Sequence, residues 1–231
     1  MHWVNTSLIF VAGLNVGLAL LVWLRNPRNK INITFALSVF LLAAWTLGIA
    51  MFRGAETEQA ALVWTWIQNG AGSLVVVSFF LFSVYFPYQK ALLKRWQIIL
   101  ISISIIIVLG VVVGSNAWVE EIRLKSFDND YLINFWGVAY FNFHFYLYLI
   151  LAFRNLFKKY KGSQEFVRKQ LFFVILFTGI IALFGGIFGA FIPLVMLSTA
   201  GPYYLGPYFS LPMLVFLSWF MFLSGKQIYI K

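Results

Sequence analysis

Apolar residues fill this chain in long blocks separated by short polar stretches. Seven blocks stand out, at 7–24, 31–51, 60–86, 96–113, 135–156, 170–197 and 206–224. The sixth holds no charge from Leu171 to Leu197. A helix rises about 1.5 Å per residue, so blocks of this length cross a hydrocarbon core of about 30 Å. The pattern predicts an all-α polytopic membrane protein, a single seven-transmembrane helix bundle spanning the whole chain. Most links are too short to fold alone. In 114–134, however, Ile122 and Leu124 alternate with Arg123 and Lys125, Asp128-Asn129-Asp130 supplies turn chemistry, and Tyr131-Leu132-Ile133 follows. That predicts a small β-hairpin lid between the fourth and fifth spans, with an amphipathic surface helix as the alternative. The link 198–208, carrying Pro202, Tyr203, Tyr204, Pro207 and Tyr208, should be stiff and aromatic.

Charge gives these blocks a direction. Of the 17 basic residues, 14 fall on one side if the N-terminus is outside: Arg25, Arg28, Lys30, Lys90, Lys94, Arg95, Arg154, Lys158, Lys159, Lys161, Arg168, Lys169, Lys226 and Lys231. Arg53, Arg123 and Lys125 fall on the other, with every acid except Glu165. Cytoplasmic loops retain lysine and arginine, so the bias predicts N-out and C-in. Most tryptophans fall at predicted membrane edges, where indole is favoured, and only Trp45 lies deeper. Composition agrees with this reading. The chain is 62% hydrophobic and only 10% charged, against about 25% charged for ordinary soluble domains. The net charge of +10 therefore argues for anionic lipid rather than nucleic acid, because the cations cluster between apolar blocks. Lys158, Lys159, Lys161, Arg168 and Lys169 are the candidate lipid or partner contacts. Without cysteine there is no disulfide, thiolate nucleophile or cysteine metal site. The first block lacks a basic n-region and reads as a retained helix rather than a cleaved signal.

No acid, lysine or arginine lies in the interior of a predicted span, which disfavours ion-coupled pumps and a retinal Schiff base. His144 is the one titratable group near mid-membrane, sharing a helix face with Gly137, Tyr140 and Tyr148. It reads first as a tie to a neighbouring helix, with a sensing site as the sharper alternative. Asn15, Gln68, Asn69 and Asn142 are the other strong polar groups in spans, and amides in hydrocarbon must find partners. Interhelical glue is again the first reading. The sharper one is an outward-opening ligand pocket formed by these amides and His144. Trp64, Tyr203, Tyr204 and Tyr208 would roof it, and a small apolar or amphipathic ligand would suit it. No catalytic residues, metal ligands or cofactor site are expected; one histidine cannot build a metal site. Glu120, Glu121, Asp128 and Asp130 read as solvated loop charge. The small-residue seams Gly13-xxx-Gly17, Gly185-xxx-Gly189 and Ala182-xxx-Gly186-xxx-Ala190 read as packing inside the bundle rather than a homodimer face. Pro193 and Pro212 should bend the last two spans.

Several stretches in order carry a family likeness: Arg25-Asn-Pro-Arg-Asn-Lys-Ile-Asn-Ile-Thr-Phe-Ala36, Ala44-Trp-Thr-Leu-Gly48, and Tyr85-Phe-Pro87. Arg168-Lys-Gln-Leu171, Gly179, Gly185, Ile192-Pro193 and Leu205-Gly-Pro207 complete it. Together they resemble the N-terminal seven-helix sensor region of bacterial histidine kinases. The resemblance implies a multi-pass sensory input module in a bacterial cytoplasmic membrane, signalling to a cytoplasmic kinase or other output protein. It carries over no catalytic residues. Only seven residues follow position 224, so a sensor separated from its kinase, or a stand-alone protein, is expected. A small-solute transporter or channel is the competing class, disfavoured by the absence of intramembrane charge and of matched broken helices.

Overall fold

The structure, a computed structural model, describes residues 3–88, 93–113, 118–125, 128–199 and 202–220. Its helices are α1 (Trp3–Arg25), α2 (Lys30–Arg53), α3 (Glu58–Tyr85), α4 (Arg95–Val113), α5 (Phe135–Lys161), α6 (Glu165–Gly186), α7 (Ile192–Met196) and α8 (Gly206–Ser218). Two short strands, β1 (Val119–Arg123) and β2 (Asp130–Ile133), lie between α4 and α5. Six rods are long and apolar enough to cross a membrane: α1 to α5, and the rod Glu165–Met196 that combines α6 and α7. The chain is therefore a multi-pass membrane protein. The last predicted block is helical over Gly206–Ser218; its end at 221–224 lies outside the described residues, as do Lys90, Lys226 and Lys231.

The helix starts follow from local chemistry. At α2, the Asn29 side chain accepts from the Ile31 amide at 2.8 Å, while Asn32 donates to the Val22 carbonyl at 2.8 Å and ties α1 to α2. Thus the Asn-Pro-Arg-Asn stretch is a turn with its own cap. Thr57 caps α3 through the Ala60 amide, and Asn134 caps α5 through the amides of Trp136 and Gly137. The central layer is α2 against α3. Gly48 makes this close approach possible: a Cβ there would stand 2.7 Å from Cβ of Gln68 and 2.9 Å from its backbone. By contrast, α4 buries only Val108 and Val112; Ile101 and Ile105 pack half-buried against α3 and α5, and its other isoleucines face outward.

Two expectations need correction. The Gly13–Gly17 seam does not pack within the bundle: both glycines are exposed and a Cβ at either would meet nothing within 4 Å. Packing on α1 is instead carried by the opposite face, through Leu8, Val11, Asn15, Ala19 and Val22. The acids also divide. Asp130 is buried and pairs with Lys125 at 3.3 Å, so it is not solvated loop charge; Asp128 is exposed yet reaches Arg53 at 2.5 Å. The seams of α6 do face the bundle, with Gly189 against Trp45 and Gly186 against Tyr146; the Ala190 side chain lies outside the described residues. Pro193 cannot donate to the Gly189 carbonyl, and the helix ahead of it widens into a π turn over Ile187–Phe191. Pro212 lies inside α8.

Candidate functional site

Strands β1 and β2 pair antiparallel with a bulge between Val119 and Glu121. A two-stranded hairpin alone is marginal in water, so its anchoring matters. The chain after α7 supplies a third edge: Ile133 donates to the Leu197 carbonyl at 3.0 Å, and Thr199 donates to the Tyr131 carbonyl at 3.2 Å. Leu197 adopts a left-handed conformation, φ 47°, to turn the chain into this position. The Thr199 hydroxyl accepts from the Tyr131 amide at 3.1 Å. On the other side, Asn129 is buried and donates to the carbonyls of Phe52 and Ala55 at 2.9 and 2.8 Å, closing the end of α2.

Tyr131 is the side chain this arrangement delivers into the bundle. Its ring lies edge-on to Phe52 at 5.2 Å. Its hydroxyl accepts from Gln68 Nε2 at 3.1 Å and from Asn69 Nδ2 at 2.9 Å. Asn69 also donates to the Thr65 carbonyl at 2.9 Å, locking its orientation. Burial raises the Tyr131 phenol above its ordinary value despite these hydrogen bonds, so the group is neutral in the working range. Tyr203, also buried, is raised for the same reason.

Around Tyr131 lies a cavity of about 20 Å³, walled in part by Trp45, Gln68, Asn69, Asn142, Thr199 and Tyr203. Gln68 Oε1 and Asn142 Oδ1 are buried acceptors without a hydrogen-bond partner. The volume is enough for about one water-sized group, which needs roughly 10–15 Å³. Four of the sequence-derived candidates, Gln68, Asn69, Asn142 and Tyr203, therefore converge. The others do not. Asn15 is buried on α1 with neither amide atom hydrogen-bonded, away from this cavity. His144 sits between helices, with Nε2 3.3 Å from the Ser73 carbonyl and Nδ1 3.0 Å from the Ser104 hydroxyl. A neutral ring protonated on Nε2 satisfies both partners. Tyr204 lies under the guanidinium of Arg53 at 4.5 Å. Tyr208 contacts Ser7 at 2.5 Å.

Arg53 and Tyr131 are the main residues that sequence reasoning passed over. Arg53 is buried at 3% exposure, donates to Asn5 at 3.1 Å, pairs with Asp128 and stacks on Tyr204. It read as a loop charge because it ends a helix. Trp45 had one signal, its depth; it fills the space that Gly189 and Gly206 leave, where added Cβ atoms would stand 3.0 and 2.9 Å from its ring.

At the other end, the basic candidates separate by helix face. Lys158, Lys161, Arg168 and Lys169 are exposed, with Lys169 beside Glu165 at 3.0 Å and Arg168 over the Tyr160 ring at 4.9 Å. Lys159 turns inward instead and donates to the carbonyls of Ser83, Val84 and Phe86 at 2.8, 2.7 and 2.5 Å. It caps α3 rather than offering its charge to a lipid head group. Among the described residues, no group of histidines and acids is placed to hold a metal ion.

Residues 7–225 match the family described as the N-terminal 7TM region of histidine kinase. The chain belongs to this family. No curated protein and no solved structure matches it. Within that sensor region, the hairpin, the Tyr131 cluster and the basic loop are the features that distinguish one end of the bundle from the other.

Proposed function

We propose that this chain is a signal-input module of the histidine-kinase type, with seven spans, its hairpin outside and its basic loop on the cytoplasmic side of a bacterial membrane. The observation that carries this reading is Tyr131. A residue of an extramembrane hairpin is hydrogen-bonded to two amides on α3, so a displacement of β2 that moves Tyr131 breaks or remakes bonds inside the bundle. The orphan acceptors on Gln68 and Asn142 suit the donor tip of a small, mostly apolar ligand, such as a hydroxyl or amine. His144 acts as an interhelical tie outside this site, and Asn15 also lies outside it. Output leaves through the basic loop, where Lys158, Lys161, Arg168 and Lys169 contact anionic lipid or a cytoplasmic kinase.

The test joins the chain, after Lys231, to the cytoplasmic core of a histidine kinase and follows phosphotransfer in membranes. Asn69→Ala and Tyr131→Phe should shift basal output while the protein remains folded and inserted. Output indifferent to both substitutions would remove the hairpin from the signalling path. Reporter fusions after Lys231 and within 127–130 check the orientation: a cytoplasmic signal from the second would overturn it.

A further inference from the structure

Below the polar cavity, on the far side of Trp45, lies a second and larger one of about 110 Å³. Its walls come from α2, α3, α5, α6 and α8. We infer that it is a binding site for a small apolar molecule drawn from the bilayer, separate from the donor-accepting site under the hairpin and independent of that reading.

Three observations carry this. The first is chemical: the hydroxyls on the wall are already satisfied. Ser38 is bonded to Ser78 at 2.9 Å, Thr178 donates to the Val174 carbonyl, and Ser210 donates to the Pro207 carbonyl at 2.7 Å. Water entering such a space gains few partners, and apolar cavities of about 150 Å³ are known to stay dry and to take benzene or xenon. The second is volume. At about 110 Å³ the space is well short of the roughly 300 Å³ where drug-sized pockets begin, so the occupant is a short alkyl or single-ring molecule.

The third is that packing does not demand the emptiness. At Gly206 and Gly189 an added Cβ would press on Trp45, so those glycines are needed to seat the indole. Gly185 also lines the cavity, yet a Cβ there would meet nothing within 4 Å. A Cβ would fit at this wall position without a clash, and the chain carries none there. The bilayer is the source we assign because α6, one wall of the cavity, buries little beyond Val167, Gln170, Leu171, Val174 and Gly186, and leaves Phe172, Leu176 and Leu183 exposed. An occupant would touch Trp45, which also walls the polar cavity.

The experiment photolabels the full chain in lipid nanodiscs with a short-chain alkyl diazirine and maps the adducts by peptide mass spectrometry. Adducts are expected on the wall at Val75, Phe79 and Ile181, saturating with probe and suppressed by excess n-hexane. In Gly185→Leu the wall adducts should disappear while those on lipid-facing Ile103 and Ile106 persist. Gly13→Leu, the same change on an exposed face, should label like the unaltered chain. Wall adducts that rise linearly with probe and resist hexane would overturn the site, and this arm needs no variant. So would undiminished wall labelling in a folded Gly185→Leu protein.

Discussion

The two ends of the bundle are held together by different chemistry. At the hairpin end the contacts are directional: Asn129 on the last carbonyls of α2, Arg53 between Asn5 and Asp128, and Tyr131 on Gln68 and Asn69. At the basic-loop end they are mostly aromatic surfaces. Phe82 stacks on Phe86 at 5.2 Å and meets Phe35 at 5.5 Å, while Phe173 meets Phe220 at 5.0 Å and Phe177 meets Phe216 at 4.5 Å. Hydrogen bonds fix one geometry and fail when it is lost. Ring contacts tolerate sliding, because dispersion and burial depend weakly on register. One end is thus held in a single geometry, and the other tolerates small shifts. Lys159, like Asn32 on the Val22 carbonyl, is an exception at the sliding end, and it pins α5 to α3 there.

That exception gives the largest expected effect. Lys159→Met should destabilise the protein by about 2–4 kcal/mol, since it removes charge-assisted bonds to three carbonyls at the end of α3. Thermal unfolding in detergent measures it. A loss no greater than that of Lys158→Met would mean that the inner pin contributes nothing and that the ends differ less than the geometry implies.

Tyr131→Phe comes next, at about 1–3 kcal/mol, because two buried amide donors lose their acceptor. Burial raises the phenol above its ordinary 10.0, so its contribution is complete below that pH and is lost as the pH climbs through the raised value. The substituted protein should therefore show a flatter alkaline limb in its melting temperature.

Asp128→Asn should cost less than about 1 kcal/mol, because the carboxylate is exposed although its partner is buried. Arg53 retains Asn5 and Tyr204 in that variant. Smallest in stability is the double change Lys158→Gln, Lys161→Gln, which should leave unfolding unaltered. It should weaken binding to anionic vesicles in a salt-sensitive way, by about 1 kcal/mol for each charge. Lys159 is left out because its charge is already engaged.

Hydropathy made the membrane rods legible, since a helix in hydrocarbon must be apolar along its length. The hairpin was legible too, because Ile122-Arg123-Leu124-Lys125 alternates and Asp128-Asn129-Asp130 turns. What local pattern could not reveal was partnership at long range. Tyr131 looks like an ordinary strand aromatic until α3 is beside it. Arg53 resembles a topology charge until Asn5 and Tyr204 close over it. For Lys159 there was a usable signal: it continues the face of Ala152 and Leu156, both fully buried, whereas Lys158 and Lys161 do not. The Gly13 seam misled because small residues permit close approach without requiring it.

The most direct measurement is hydrogen–deuterium exchange on the unaltered chain and on Tyr131→Phe in nanodiscs. If Tyr131 stitches the hairpin to the bundle, amides of Val119–Arg123 and Asp130–Ile133 should exchange faster in the variant, together with those around Gln68 and Asn69. Amides near Phe173 and Phe216 should be unchanged. Equal protection of the hairpin in both proteins would contradict the stitch, and with it the distinction between the two ends.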